Sequence, residues 1–322
     1  MTDAANARND PRERANGVSQ LQQIALTGDI DAGTDLSGVV VVDDYLILGA
    51  DEGHQVQVFA RCYDDACWCL QSKFALAKRD EETDIEAITY GDGYLYVIGS
   101  HSARRRLMRE DLSARRNRER LHDVRQDESR NRLYRLPFDP STGKLDKARS
   151  ISLNKRLRKD PLLQIFHRIP SKENGIDIEG LAYRDGELTV GFRGPVLRDN
   201  YVPVMRFAFD SAKNYQLRFV RLKGQGIRDL IAVDNGFVLL TGPVNDTPGA
   251  FRLWWWDGED QIPGKDKAVG EAIELGEVST AGGANAEGLA LLSCQAGVAE
   301  VIVVYETLTA PQAVSMRLTL PA

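Results

Sequence analysis

Hydrophobic and polar residues alternate along most of the chain in short runs that end at turn residues. Two stretches, 84–99 and 177–191, are closely alike: each has an acidic first residue, a short apolar run, an Asp-Gly turn and a second run that ends at glycine. Such alternation is typical of half-buried β-strands, and Asp-Gly between two runs predicts a hairpin. Weaker copies begin at Asp35, Gly226 and Asn285. The pattern therefore predicts an all-β protein built from five copies of one unit.

Each copy is followed by two further strand-like runs, so the predicted unit has four strands. The third copy, for example, continues with residues 202–209 and 215–222. Four-stranded antiparallel units repeated around a ring define a β-propeller. The last copy is one strand short, and residues 21–28 are similar to the outer strands, so we expect the N-terminal strand to complete the last blade and close the ring. Two stacked β-sandwiches are the alternative.

The interval between the second and third copies is longer than the others. It contains residues 103–132, which hold eleven arginines and six acids and show no alternation. We expect a helical, arginine-rich insertion between the second and third strands of blade two, with its charges paired on its surface. Alternatively, the interval hides a sixth blade. A short helix is predicted at 154–168, and a disordered tail at 1–18 precedes a single propeller domain at 19–322.

Composition narrows the class of protein without revealing a substrate. The 322 residues include 41 Lys and Arg against 47 Asp and Glu, a formal net charge of −6. An acidic balance argues against a general nucleic-acid-binding surface. No apolar run approaches the roughly 18 residues of a membrane helix, and the N-terminus lacks the apolar segment of a secretory signal. We expect a cytoplasmic protein with neither nucleic acid nor a membrane as its partner.

Three of the four cysteines, Cys62, Cys67 and Cys69, lie close together in the sequence. Cys62 and Cys67 flank a predicted turn between two strands. A zinc site needs a fourth ligand, and no second cysteine pair supplies one. We therefore favour strand packing or an incidental disulfide over a metal site, and expect no disulfide framework.

Two motifs resemble those of a bacterial family. The stretches 174–182 (NGIDIEGLA) and 191–195 (GFRGP), together with Gly99-Ser-His101-Ser, resemble domain-of-unknown-function family 3616 from about Gly28 onward. This resemblance implies a propeller-like domain and brings no established activity. At the level of the fold, an acidic residue at the start of the inner strand is also similar to calcium-dependent propeller lactonases and esterase-like phytases.

The repeat predicts a ring of polar residues, because the first strand of each propeller blade lines the central channel. At the third position of each copy the ring comprises Ser37, Glu86, Glu179, Arg228 and Glu287. Carboxylates that face one axis repel one another unless a positive charge lies among them. Arg228, a Ca²⁺ ion held by the three glutamates, or both would meet this need. Alternatively, the acids cap strand starts by accepting hydrogen bonds from neighbouring blades.

A second set of polar residues follows the second strand of each blade. It includes His101, Arg193 and Glu306, which we expect to gather at the opposite mouth of the channel. Arg193 is suited to clamping a carboxylate or phosphate, and His101 to acting as a general base. The alternatives are an ion pair between Arg193 and an acid of an adjacent blade, and a buried structural hydrogen bond for His101.

Two functions are compatible with these residues. The first is a propeller that binds a small anionic ligand, or a protein partner, at one mouth of its channel. Its ligand-binding residues would be Arg193, Arg228 and Glu306. The second is a Ca²⁺-assisted hydrolase of a small ester, lactone or phosphoester, with His101 and Glu179 as catalytic residues and Glu86, Glu179 and Glu287 as metal ligands. No nucleophile elbow or phosphate-binding loop is present in the sequence, so covalent catalysis is not expected.

Overall fold

The computed structural model of the protein describes residues 17–62, 66–78, 81–280 and 284–321. Most of the tail predicted at 1–18 lies outside the described residues, and the first strand begins at Val18. In chain order the first strands are β1 (Val18–Thr27), β2 (Leu36–Val42), β3 (Tyr45–Ala50), β4 (Gln55–Arg61), β5 (Cys67–Ala75), β6 (Ile85–Gly91), β7 (Tyr94–Gly99), β8 (Arg104–Arg105), β9 (Val124–Arg125), β10 (Leu133–Asp139), β11 (Lys144–Leu145) and β12 (Arg149–Ile151).

The remaining strands are β13 (Asp177–Arg184), β14 (Glu187–Gly194), β15 (Tyr201–Phe207), β16 (Gln216–Arg221), β17 (Gly226–Val233), β18 (Gly236–Gly242), β19 (Phe251–Trp256), β20 (Ala272–Val278), β21 (Asn285–Gln295), β22 (Val298–Glu306) and β23 (Gln312–Thr319). The α-helices are α1 (Ala114–His122) and α2 (Asn154–Leu157). Short 3₁₀ segments span Glu128–Arg130, Leu163–Ile165, Ser171–Glu173, Arg198–Asn200 and Phe209–Asn214.

The strands form blade-like antiparallel sheets. Three sheet units follow the simple up-and-down order, β2-β3-β4-β5, β13-β14-β15-β16 and β17-β18-β19-β20. Another unit orders β6, β7 and β10, with β11 and β12 pairing along different parts of β10 as a divided fourth strand. The last unit is β21-β22-β23-β1.

The first strands of these units surround a common axis. β2 contacts β6, β6 contacts β13, β13 contacts β17, β17 contacts β21, and β21 returns to β2. Sheets in a sandwich would instead face one another in two layers. The predicted all-β propeller is therefore confirmed, and its channel is lined by the first strand of each unit.

The N-terminal strand closes the ring as predicted. β1 pairs antiparallel with β23, from Val18 opposite Leu318 to Ile24 opposite Ala313. Its last three residues, Ala25 to Thr27, then run parallel to Cys67–Cys69 of β5 in the neighbouring sheet. One strand thus joins the last sheet to the first and covers edges that would otherwise expose unpaired backbone groups.

Hydrophobic side chains are buried between adjacent sheets. The run Trp254, Trp255 and Trp256 on β19 shows how one strand serves two interfaces. Trp254 and Trp256 pack with Phe207 and Phe237, whereas Trp255 packs with residues of the last sheet, including Val301. Because successive side chains of a strand point to opposite faces, this strand contributes to the core on both sides.

The arginine-rich segment leaves the second sheet between β7 and β10, as expected. α1 buries none of its residues, and the Ser113 hydroxyl caps it by accepting a hydrogen bond from the Arg116 amide at 3.3 Å. Ion pairs join the insertion internally, among them Arg104–Asp127 at 2.8 Å. Within the described residues, the interval forms no additional four-stranded sheet. Charge pairing rather than a hydrophobic core holds the insertion together.

Cys62 and Cys69 form a disulfide across the β4–β5 hairpin, with their Cα atoms 5.8 Å apart. Cys67, on the same hairpin, is a free thiol. This bond agrees with the incidental disulfide expected at this turn. It uses two of the three neighbouring cysteines.

Among the helices of the described residues, none has the length and apolar character needed to cross a lipid bilayer.

Candidate ligand site at the channel mouth

The two predicted sets of polar residues lie at the same mouth of the channel. The first and second strands of each unit are antiparallel, so the end of the second strand is beside the start of the first. Asp177 pairs with Gly194, and Asn285 pairs with Glu306. The expectation that the second set gathers at the opposite mouth is therefore wrong, because a hairpin returns the chain to the level at which it began.

The mouth opens into a cavity of about 120 Å³, lined by all the predicted ring residues and by Arg193 and Glu306. Its walls carry eight carboxylates and four basic side chains. The acids are Asp35, Asp51, Asp84, Glu86, Asp177, Glu179, Glu287 and Glu306, and the bases are Arg130, Lys172, Arg193 and Arg228. The site therefore carries an excess of negative charge.

Arg193 is engaged by acids of its own sheet. Its Nε donates to Asp177 Oδ2 at 2.8 Å, and its Nη1 lies 2.8 Å from Glu179 Oε1. All three residues are buried. The next sheet begins at Gly226, where an added Cβ would overlap the backbone of Arg193. The glycine thus allows the chain to approach Arg193 closely. Arg193 forms a structural ion pair, but with acids of its own sheet rather than with the acid of an adjacent blade that the alternative expected.

Arg228 bridges two neighbouring sheets. Its Nη1 donates to both carboxylate oxygens of Glu287, at 2.8 and 2.5 Å, and its Nη2 donates to the Pro243 carbonyl at 3.2 Å. The same Nη1 lies 3.4 Å from Glu179 Oε2, which nevertheless has no hydrogen-bond partner in the described part of the chain. Glu287 is thus neutralised, whereas Glu179 Oε2 is held only by this longer ion pair to Arg228.

Glu86 lies in this acidic wall without a cation of its own. Among the described residues, it has neither a hydrogen bond nor an ion pair. Its pKa is raised well above the ordinary value, first by burial and then by repulsion from Asp84, Glu179 and other acids. Ligand oxygens of Glu86, Asp177 and Glu179 all lie within 4.8 Å of one another. This spacing is suitable for one metal ion bound by several carboxylates.

The pKa values of the neighbouring carboxyls are also perturbed. Burial raises the pKa of Glu179 to about 8, although Arg193 and Arg228 act in the opposite direction. Burial likewise raises the pKa values of Asp177 and Glu287, again against the effect of the two arginines. Without a bound cation, this cluster retains protons to a higher pH than isolated carboxyls do.

A neighbouring cluster contains residues that the repeat does not identify. Arg130, in the insertion, lies 2.9 Å from Asp84 Oδ2 and also pairs with Glu82. The Ser100 hydroxyl donates to the same Asp84 carboxylate. The insertion therefore contributes a wall of the mouth and neutralises Asp84. No other copy of the repeat has an equivalent segment, so the sequence carries no signal for this contact.

The capping role considered for the glutamates belongs to a different residue. Asp229 accepts hydrogen bonds from the Leu289 amide of the next sheet at 2.8 Å and from the Leu230 amide at 2.7 Å. Ser37 makes a related contact, donating its hydroxyl to the Ile85 carbonyl. The sequence does contain a signal for Asp229. It directly follows the ring residue Arg228, whereas the other four copies have glycine or alanine at the corresponding position.

His101 lies outside the cavity lining. Its side chain is buried, and both ring nitrogens are bonded to backbone: Nδ1 donates to the Gly99 carbonyl at 2.8 Å, and Nε2 accepts from the Leu153 amide at 3.1 Å. Burial lowers the pKa of His101 to about 4. The geometry corresponds to a structural histidine and gives the proposed general base no free nitrogen at the site.

The fold and site define a β-propeller whose channel mouth is lined by more carboxylates than cations. Residues 35–317 match the model of the family described as "Protein of unknown function (DUF3616)", and the chain belongs to this family. The family resemblance of the two motifs is thereby confirmed. No curated protein sequence matches the chain significantly.

Several solved structures are similar in fold alone. The Bacteroides ovatus Xyloglucan PUL GH43B protein has a TM-score of 0.46 and 10% identity, over 92% of this chain and 53% of that one. The chain therefore spans about half of that protein. An α-L-arabinofuranosidase from Podospora anserina, solved with cellotriose, has a TM-score of 0.44 and 7% identity over 93% and 96% of the two chains. For streptogramin B lyase the TM-score is 0.39 and the identity 9%, over 95% and 88%.

Proposed function

We propose that the channel mouth binds a hard divalent cation such as Ca²⁺ through Glu86, Asp177 and Glu179, and that this cation holds the anionic group of a small ligand. The observation that carries the proposal is Glu86, a carboxylate with no partner among the described residues and two further carboxylates within 4.8 Å. Glu179 supports it, because its buried Oε2 lies beside the same cluster, 3.4 Å from Arg228 Nη1, and accepts no hydrogen bond from the described residues.

The charge distribution favours a cation as the first occupant. Arg193 and Arg228 already bind Asp177, Glu179 and Glu287, so both guanidinium groups serve as counter-ions to carboxylates of the site. Ca²⁺ takes six to eight oxygen ligands, and the protein would provide only some of them. Its remaining positions are then open to water or to the oxygens of an anionic ligand. Asp177 replaces Glu287 in the metal set expected from the sequence, since Arg228 engages both oxygens of Glu287.

A thermal melt tests the cation site directly. Purified protein is melted in EDTA and then with Ca²⁺, Mg²⁺ or Zn²⁺ restored. A ligand that binds only the folded state stabilises it by about 2.7 kcal/mol at 100 times its Kd. We expect a Ca²⁺-dependent rise in melting temperature that disappears in Glu86→Gln. Glu306→Gln is the matched control, because Glu306 lines the same cavity but lies outside the three-carboxylate cluster, and it should retain the rise. No shift with any ion would overturn the proposal.

A second candidate, the hydrolase, is favoured by one observation. Glu179 lines the cavity and combines a pKa raised to about 8 with an oxygen that accepts no hydrogen bond from the described residues, so it is able to exchange a proton near neutral pH. Small esters, lactones and phosphoesters should then be hydrolysed at a rate that Glu179→Gln abolishes. Assays with EDTA and with Ca²⁺ separate proton transfer by Glu179 from metal-bound catalysis. Absence of turnover in both conditions would leave ligand binding as the function of the mouth.

A further inference from the structure

A second cavity lies outside the channel, in the connection from β12 to β13. It has a volume of about 640 Å³ and is lined by Ser152, Asn154, Lys155, Arg158 and Lys159. Every one of these side chains carries a hydrogen-bond donor, and none is a carboxylate. This cavity therefore has the opposite electrostatic character to the channel mouth.

The three cations of this cavity have no acidic partner in the part of the chain that the structure describes. Lys155, Arg158 and Lys159 are exposed, and their side chains have no ion pair or hydrogen bond within the described ranges. The adjacent acid Asp160 is buried and already occupied. It accepts hydrogen bonds from the Leu162 amide at 2.9 Å and from the Tyr215 hydroxyl at 2.7 Å. Three uncompensated positive charges thus surround one cavity on a protein whose net charge is −6.

The buried His167 fixes the orientation of the Asn154 amide, an uncharged donor of the cavity. His167 is only 5% exposed, and Gln126 of the insertion donates to its Nδ1 at 3.3 Å and to its carbonyl at 2.7 Å. Its Nε2 then carries the proton and donates to Asn154 Oδ1. Burial, Arg158 and Arg168 lower the pKa of His167, which favours this neutral form. The hydrogen bond to its oxygen fixes the orientation of the Asn154 amide, and the NH₂ group remains available to donate to a ligand.

Ser152 complements this arrangement. Its Oγ accepts a hydrogen bond from the Asn154 amide at 3.2 Å, so its hydroxyl hydrogen is available as a donor. The cavity consequently combines two neutral donors with three permanent cations. A single carboxylate would compensate one of these charges, whereas a phosphate chain carries several charges and many acceptor oxygens.

We infer that this cavity binds a multivalent phosphate group of the pyrophosphate kind. The inference is independent of the cation proposed at the channel mouth, since the two cavities share no lining residue. Inorganic pyrophosphate and the diphosphate group of a small organic molecule both belong to this ligand class.

Calorimetric titration of the full chain with inorganic pyrophosphate tests the inference. EDTA is present throughout, so that no divalent cation at the channel mouth contributes. We expect saturable binding that weakens at least about tenfold in the double variant Arg158→Glu/Lys159→Glu, because two cations become anions. The matched control is Lys144→Glu/Lys213→Glu, which makes the same charge change at exposed lysines outside the cavity and should leave affinity within about twofold.

A second variant tests whether the NH₂ group of Asn154 contributes to pyrophosphate binding. Asn154→Asp keeps the shape of the side chain but replaces the NH₂ donor by an oxygen, so pyrophosphate affinity should fall while the melting temperature in EDTA stays close to that of the wild type. Three results would each overturn the inference: no saturable binding to the wild type, equal losses in the double variant and its control, or equal affinity for sulfate. Tighter binding of duplex DNA than of pyrophosphate would overturn it in favour of a nucleic-acid surface.

Discussion

Replacing Glu86 by glutamine should stabilise the metal-free protein. Glutamine keeps the size of the side chain and removes a negative charge that has no partner in the described structure. The substitution therefore relieves repulsion without deleting a hydrogen bond or an ion pair. Most single substitutions destabilise a protein, so a gain in stability here is a distinctive expectation.

The size of the gain follows from the spacing of the carboxylates. Ligand oxygens of Glu86, Asp177 and Glu179 lie within 4.8 Å of one another. Two like charges at that separation repel by about 3 kcal/mol at an effective dielectric constant of about 20. Arg193 compensates one of the two neighbouring charges, which leaves about one to act on Glu86. Allowing for water at this partly exposed carboxylate, we expect a gain of about 1 to 3 kcal/mol.

Urea denaturation in EDTA measures this gain, and its pH dependence checks the cause. The pKa of Glu86 in the folded protein is raised above its ordinary value of 4.5. The folded wild type is therefore stabilised at low pH and loses that stability as the pH rises through the raised pKa. The advantage of Glu86→Gln should be largest at alkaline pH and shrink as the pH falls toward 4.5.

Glu287→Gln is the matched control, with the same substitution in the same cavity and an opposite expected sign. Removing the Glu287 carboxylate leaves Arg228 buried without its shortest ion pair, which costs about 3 to 5 kcal/mol. With Ca²⁺ present, Glu86→Gln should also become less stable than the wild type, because it loses a metal ligand. A Glu86→Gln protein that is less stable in EDTA at every pH would refute the electrostatic reasoning.

Two further predictions concern residues around the mouth. The ring signals of His101 in a proton NMR titration should stay those of the neutral form down to a pH of about 4, because protonation requires a charge in a buried site; titration near 6.5 would contradict the assigned hydrogen bonds. Gly226→Ala should displace the Arg193 backbone and weaken both folding stability and Ca²⁺ binding, whereas Gly186→Ala, where an added Cβ meets nothing within 4 Å, should leave Ca²⁺ binding unchanged.

The repeat identified the residues that face the channel because strands have a period of two. Once 84–99 and 177–191 are aligned, the same position in each first strand points to the axis, and Ser37, Glu86 and Arg228 indeed line one cavity. Alternation alone does not show at which mouth of the channel the second strand ends. It therefore does not place Arg193. The hairpin of β13 and β14 places Arg193 beside Asp177, at the mouth where β13 begins.

The sequence does not show which arginine pairs with which carboxylate. Arg193 binds acids of its own sheet, whereas Arg228 binds Glu287 of the next one, and only side-chain geometry distinguishes these arrangements. His101 and His167 illustrate the same limit. Their roles depend on Leu153 and Asn154, which belong to a connection that no repeat describes.

The pairing of β1 with β23 has a consequence for synthesis on the ribosome. β1 meets its antiparallel partner only after Gln312–Thr319 has been made, 285 residues beyond Thr27. At about 5 to 20 residues per second, that delay is roughly 15 to 60 s. During this time the emerging sheets can fold one after another, but the circle stays open and β1 has no antiparallel neighbour. The ring can therefore close only after Gln312–Thr319 has left the ribosome.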